Sequence, residues 1–268
     1  MNGTENNIPT IFMIGIAFVL LLAISFLVIT FLNQRRKWQL HNEMAKLKEQ
    51  QQNQLIEAAI RSEETERHRI AETLHDEVGA ILSSVRLHFS NINANQLDER
   101  GQSLHEKSKE LLDDSIQKVR TISHNLHSTL LKEFGLNEAI RNFLGKTVQG
   151  TLVKVETDLD ADYHTENAET DLGVYRIVQE LTNNILKHAK ANYIHIGSKI
   201  KDEFLELVFR FNGMGLSQEQ FEELRYRKEG LGLKNIQNRI ILLKGNIMFE
   251  KNLKDNRIIL TIPVNQGA

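Results

Sequence analysis

The stretch RIAETLHDEVGAILSSV, Arg69 to Val85, decides how the chain is read. Ile70, Leu74, Val78, Ile81, Leu82, Val85, Phe89 and Ile92 recur at three- and four-residue steps, which predicts a helix with one buried face. Within it stand a histidine and two acids in a row: His75, Asp76 and Glu77. On a helix His75 lies roughly 100° off the Leu74/Val78 stripe, so its ring should project from the edge of the buried face. Its neighbours four residues away are the small Ala71 and Gly79, which leave the ring accessible. Gly79 costs about 1 kcal/mol against Ala inside a helix, and close approach of another domain would offset that. A neutral imidazole is a nucleophile, and the adjacent Asp76 can accept its ring proton. Taken alone, a surface histidine among ordinary helical acids would look the same.

A polar break, NANQLDERGQS, follows, and a second stripe runs through Leu104, Leu111, Leu112, Ile116, Val119, Ile122, Leu126 and Leu130. Two long helices joined by a short break make an antiparallel hairpin, and one hairpin cannot cover both stripes. Dimerisation into a four-helix bundle is the economical solution.

Working toward the N-terminus, Asn33 to about Arg67 is polar, with a sparse stripe at Leu40, Met44, Leu47, Leu55 and Ala58. It reads either as a juxtamembrane helix pairing weakly with its copy or as a solvated single helix. Before it, Ile8 to Leu32 is 25 residues without a charge, long enough as a helix for a hydrocarbon core of ~30 Å. Arg35, Arg36 and Lys37 follow at once, so the positive-inside bias puts the remainder in the cytoplasm and about residues 1–7 outside. No basic n-region and no small-x-small site marks a cleaved signal peptide. A seven-residue tail is too short for an extracytoplasmic sensor, so sensing would run through the bilayer, the juxtamembrane helix or a partner. The Asn2-Gly3-Thr4 triplet lies against the membrane and is discounted as a glycosylation site.

Composition closes other routes. The net charge of −2 over 268 residues gives no basic footprint for nucleic acid. With no cysteine, disulfides, zinc-thiolate sites and thiol catalysis are excluded. His124 and His127, three apart on a helix, lack a carboxylate to complete a metal set.

From about Phe134 to Val264 the pattern turns to mixed α/β: GTLVKVETDLD, NYIHIGSKI, FLELVFRFN, NIMFEKN and RIILTIPV read as strands, DLGVYRIVQELTNNILKHAKA and LKNIQNRIILLKG as helices. Mostly hairpin-connected strands with helices predict a two-layer α+β sandwich. On the first of these helices Glu180, Asn184 and Lys187/His188 share a face. A carboxylate, an amide oxygen and a cation so placed could hold water, a metal and phosphates, though a solvated face has the same composition. Gly213 with Gly215, and Gly230 with Gly232, pair glycines one apart, the second pair opening a helix where the dipole favours anions. Either pair alone is an ordinary turn.

Together these residues resemble a known family. ERHRIAETLHDEVGAILSSV is similar to the phosphoacceptor box of sensor histidine kinases, in the subfamily of nitrate and membrane-fluidity sensors, whose pattern is basic-Ile-Ala-x-x-Leu-His-Asp. QELTNNILKHAKA resembles the N-box of the GHKL (Bergerat) ATPase fold. NGMG and GLGL, framing LSQEQFEELRYRKE as a mobile lid and followed by Asn235 and Arg239, resemble its glycine boxes. The likeness runs from about Glu66 to Val264. It implies a dimerisation and phosphotransfer domain over 66–131 and an ATP-binding domain over 134–265, which joins the transmembrane helix over 8–32 and the juxtamembrane helix over 33–65 read above from the residues themselves. It implies, further, that His75 takes the γ-phosphoryl group of ATP with Asp76 as base. Asn184 would ligate Mg2+ with support from Glu180, while Lys187, His188 and the four glycines lie near the phosphates. A homodimer at the cytoplasmic membrane would then pass the phosphoryl group to an aspartate of a response regulator, a DNA-binding one by resemblance.

Two positions depart from the family. Its first glycine box begins with an aspartate contacting adenine; here Phe211 ends a core strand, and Asn212 is the available substitute acceptor. A lost neutral hydrogen bond of ~0.5–1.5 kcal/mol weakens ATP binding without abolishing it. Ala80 replaces a glutamine that positions water for regulator dephosphorylation, so phosphatase activity is expected to be weak or absent. These two residues leave a nucleotide-impaired pseudokinase, acting as scaffold or phosphoacceptor, as the alternative. An anti-sigma kinase of the same ATPase fold is disfavoured by the histidine-bearing hairpin.

Overall fold

The computed structural model describes residues 8–126, 129–163, 167–224, 231–252 and 255–264. The chain divides into two compact units, residues 1–55 and 56–268. In the first, Ile8 onward is helical, the start of α1 (Ile8–Glu72), with its apolar side chains exposed from Ile11 to Leu32. Among the described residues this is the one helix long and apolar enough to cross a membrane.

The second unit begins with the last turns of α1. Where the sequence reads as uninterrupted α-helix, the structure widens into a π-helical segment, Thr73–Val78, before α2 (Gly79–Ser90). The N–H of Gly79 donates to the carbonyl of Leu74, five residues back. A 3-10 turn, Ala94–Gln96, leads to α3 (Glu99–Leu126). Phe89 stacks on His105 with ring centroids 5.0 Å apart, Arg86 lies 3.4 Å from Asp113, and Ser123 Oγ donates to the carbonyl of Ala71 at 2.9 Å. Those pairings run α3 back along α2 and the end of α1. Ala71 is fully buried there, so its small side chain admits α3. Ile116 is buried, but Ile81, Val85, Leu87, Leu104, Leu111 and Ile122 stay exposed, so one pair of helices leaves both stripes largely uncovered.

After α4 (Thr129–Val148), broken at Gly135 where φ is +77°, come β1 (Lys154–Asp158), α5 (Ala168–Asn184), a second π-helical segment (Ile185–Ala189), β2 (Tyr193–Lys201) and β3 (Phe204–Phe211). Then follow α6 (Gln218–Leu224), α7 (Leu231–Leu242), β4 (Asn246–Glu250) and β5 (Asn256–Pro263). The strands form one sheet, ordered β1-β2-β3-β5-β4, parallel between β1 and β2 and antiparallel elsewhere. Alternation sends Ile194 and Ile196, Leu205, Leu207, Phe209 and Phe211, and Ile258, Leu260 and Ile262 to one face. There they join Ile140, Phe143 and Leu144 of α4, Val174, Ile177 and Leu181 of α5, and Ile236 and Ile240 of α7 in a single core. The result is a mixed α/β, two-layer body. Phe209 is fully buried at its centre, so Phe209→Ala should lower unfolding free energy by about 3–5 kcal/mol in urea titrations, whereas exposed Arg210→Ala should change it by under about 0.5 kcal/mol.

Candidate functional site

Two centres emerge. The first is the π-helical turn around His75. The π geometry is a local departure that often marks functional positions. His75 Nδ1 lies 2.8 Å from Asp76 Oδ1, with both side chains about two-thirds exposed. A carboxylate can only accept, so Nδ1 carries the proton, and in the neutral tautomer the lone pair is then on Nε2. Nearby His124 is pushed below the ordinary histidine range by burial, then by Lys146, His75 and Arg120, so it brings no positive charge at neutral pH. A Cβ at Gly79 would meet the Leu74 carbonyl at an ordinary 3.4 Å. Close packing within this chain therefore does not demand the glycine.

The second centre is an open cavity of about 1020 Å³ at the end of the sheet. Glu180 and Asn184 line it from α5, Lys187 and His188 from the π-helical segment, Gly213 and Gly215 from the β3–α6 loop, and Gly232 from the first turn of α7. Phe211, Phe249 and Ile258 make its apolar side. Every described residue singled out for nucleotide contact thus reaches one cavity. Gly230 lies outside the described residues, as do His127 and the last part of the segment read as a lid. The start of that segment is anchored: Phe221 on α6 is fully buried and stacks on Phe249 at 4.5 Å.

Backbone approach explains the glycines. Gly213 has φ +90°, and a Cβ there would run into the carbonyl of Ala189, to which Met214 N–H donates at 2.8 Å. A Cβ on Gly215 would strike Asn256 Oδ1, and one on Gly232 the Glu180 carboxylate. At Gly213 the obstacle is fixed main chain, whereas at Gly215 and Gly232 a side chain would have to shift. The amide nitrogen of Asn184 is buried without a partner within this cradle. A donor lacking an acceptor, with Glu180 beside it and Lys187 and His188 exposed at the rim, suits a ligand rich in anionic oxygens. No cluster of three or more acidic, histidine or cysteine groups able to hold a metal occurs among the described residues. A divalent cation here would depend on Asn184, water and ligand oxygens, a sparse protein set that suits Mg2+.

The base end differs from expectation. Asn212 Oδ1 accepts from the N–H groups of Asn192 and Tyr193 at 3.0 and 3.2 Å, while its amide nitrogen donates to Asn192 Oδ1. It is committed to that turn, outside the cavity lining, and does not replace the acceptor missing at Phe211. Asn256, opposite Phe211 on β5 and nearly fully buried, lines the cavity and ties the loop by donating to the carbonyl of Gly213 at 2.9 Å. Nothing in local spacing marks Asn256; the strand register brings it there.

Comparison with known proteins finds a family match over each part of the chain that carries a centre. Residues 66–131 match the family described as histidine kinase, and residues 169–266 the one described as histidine kinase-, DNA gyrase B- and HSP90-like ATPase, together more than half of the chain. The histidine-protein kinase/phosphatase DegS of Brevibacillus brevis is 25% identical over 210 residues, covering 76% of this chain and 53% of that one. The sensor histidine kinase MctS of Rhizobium johnstonii is 28% identical over 146 residues, covering 53% and 31%. The chain therefore spans between about a third and about half of the length of the curated relatives it matches. Among solved structures, the histidine kinase domain from the Erythrobacter litoralis EL346 blue-light activated histidine kinase aligns with TM-score 0.44 at 12% identity, over 69% of this chain and 97% of that one. Gly213→Ala and Gly232→Ala should each weaken binding of a non-hydrolysable ATP analogue by at least about tenfold in calorimetry, the equivalent of ~1.4 kcal/mol, with the circular dichroism spectrum unchanged.

Proposed function

Because the chain belongs to the sensor histidine kinases, we propose that it is a membrane-anchored homodimeric kinase that phosphorylates His75 from ATP and passes the group to an aspartate of a response regulator, a DNA-binding one. The observation that carries this reading is the His75 Nδ1–Asp76 contact of 2.8 Å, which in a neutral ring puts the free lone pair on Nε2. In the transfer, the Nε2 lone pair forms the N–P bond as the γ-phosphorus parts from the bridging oxygen, and ADP leaves with that electron pair. Asp76 holds the Nδ1 proton and stabilises the positive charge that develops on the ring. On the other side, Lys187 and His188 face the phosphates, the backbone at Gly213, Gly215 and Gly232 cradles them, and the Asn184 amide orients them. Mg2+, held by Asn184 with Glu180 in support, would supply charge neutralisation at the phosphates.

The exposed stripes on α2 and α3 support the dimer, since two copies can cover what one cannot. The 25-residue uncharged run followed by Arg35, Arg36 and Lys37 supports a single span with the C-terminal part cytoplasmic. A second reading, the nucleotide-impaired pseudokinase, rests on Phe211, and the commitment of Asn212 elsewhere favours it.

The test is autophosphorylation of the full chain in lipid nanodiscs with γ-labelled ATP and Mg2+. Acid-labile, alkali-stable label is expected in wild type and absent in His75→Gln and Asn184→Ala, with Asp76→Asn slowed roughly 100-fold or more. A folded dimer that takes no label at millimolar ATP would establish the pseudokinase. Because Ala80 stands in place of the water-positioning glutamine, phosphorylated regulator should decay equally fast with and without the unphosphorylated kinase. Clear acceleration would overturn that expectation.

A further inference from the structure

The last side chain of β3 decides how the large cavity reads a base. Phe211, 3% exposed, continues the core alternation of its strand and gives the cavity an apolar wall with Leu216, Phe249 and Ile258. Adenine and guanine differ in their hydrogen-bonding edges more than in shape. Adenine carries an amino donor where guanine carries a carbonyl acceptor, and guanine adds a second amino group. An acceptor-only group, such as a carboxylate, pairs with the adenine amine and opposes the guanine carbonyl, so it selects adenine.

No such group stands at the Phe211 end. Among the described residues lining the cavity, Glu180 is the one carboxylate, and it lies against Gly232 and Asn184. The polar groups on the side of Phe211 are linked through Asn256, which is 2% exposed. Its amide donates to the carbonyls of Gly213 at 2.9 Å and Phe211 at 3.5 Å, and its Oδ1 accepts from Asn252 N–H at 3.3 Å. Gln220 Oε1 accepts from Ser217 N–H at 3.0 Å and from Lys251 Nζ at 3.5 Å. An amide offers both a donor and an acceptor, and an ammonium offers donors alone, so neither favours the adenine edge. The main-chain carbonyls of the turn are engaged as well: Phe211 and Gly213 accept from Asn256, and Ala189 accepts from Met214 N–H at 2.8 Å.

Size does not separate the bases either. At about 1020 Å³ the cavity stands at the top of the ~300–1,000 Å³ range of small-molecule sites, so the extra amino group of guanine has room. Asn184, Lys187, His188 and the glycine main chain address phosphates, which both purine nucleotides carry. We propose that the cavity takes purine nucleoside triphosphates without selecting adenine, so that GTP serves as phosphoryl donor beside ATP. This inference deepens, and rests on, the kinase reading given above. The step balances as it does with ATP: the Nε2–P bond forms, the bond from the γ-phosphorus to the bridging oxygen breaks, and GDP leaves with that electron pair.

The test uses the full chain in lipid nanodiscs with Mg2+ and has two readouts. The first is displacement of ADP fluorescently labelled on its ribose by ATP, GTP and purine riboside triphosphate, which lacks the exocyclic amine. The second is label transfer from γ-labelled ATP and γ-labelled GTP. Base indifference predicts that all three ligands displace the probe with affinities within about tenfold of one another, and that kcat/KM for GTP lies within about tenfold of that for ATP. A site built to hydrogen-bond the amine would instead reject the analogue lacking it by roughly 10⁴-fold. A loss beyond tenfold for GTP or for the analogue, in binding or in transfer, overturns the proposal while labelling by ATP leaves the kinase reading standing. If the three bind equally and neither donor labels the chain, the kinase reading fails and the donor role of GTP with it. If the probe does not bind, the assignment of the cavity to nucleotides fails, and the proposal with it.

Discussion

Burial of α5 on nearly every side is the constraint on which the rest depends. Val174, Ile177, Val178 and Leu181 face the sheet, Tyr175 meets Phe143 edge to face at 6.2 Å, and Gly173 leaves just the room that Leu243, immediately after α7, occupies. A helix so enclosed cannot rotate or slide without opening the core. Its polar residues are therefore held in register with its apolar ones: Arg176 and Gln179 at the stem, Glu180 and Asn184 at the nucleotide cavity. One rigid element joins the stem contact to the cavity.

Much of this was legible in the sequence. Strand alternation in NYIHIGSKI, FLELVFRFN and RIILTIPV marks the buried face of the sheet, and the stripes of the stem are visible as three- and four-residue steps. Glu180, Asn184, Lys187 and His188 can be found because they lie on consecutive turns, and the paired glycines because backbone contact with anions favours them. What could not be read has a common cause: it depends on partners distant in sequence or on a hydrogen-bond shift with no periodic signature. The π-helical segments at Thr73–Val78 and Ile185–Ala189 change one bond register within apparently ordinary helix. The ion pairs of Arg176 and Arg239 with Glu64 span 112 and 175 residues, and Asn256 reaches the cavity only through the register of β3 with β5.

The two halves divide the chemical work by physical means. The stem presents His75 in contact with the neighbouring Asp76 carboxylate, at a turn widened relative to the helix on either side. The ATPase domain presents main chain and one orphaned amide where three glycines remove the obstruction of a Cβ. Phe211 belongs to the core of this design, buried on the strand that ends at the cavity. That end of the cavity is consequently apolar, with Asn256 as the buried amide beside it.

The most direct measurement is phosphorus NMR combined with tandem mass spectrometry on ATP-treated full-length chain, which identifies both the modified residue and the ring nitrogen bearing the phosphorus. The account predicts a single phosphohistidine at His75, substituted on Nε2, because Nδ1 is turned to Asp76 at 2.8 Å. Phosphorus on Nδ1 of His75, or on another residue with His75 unmodified, would contradict it.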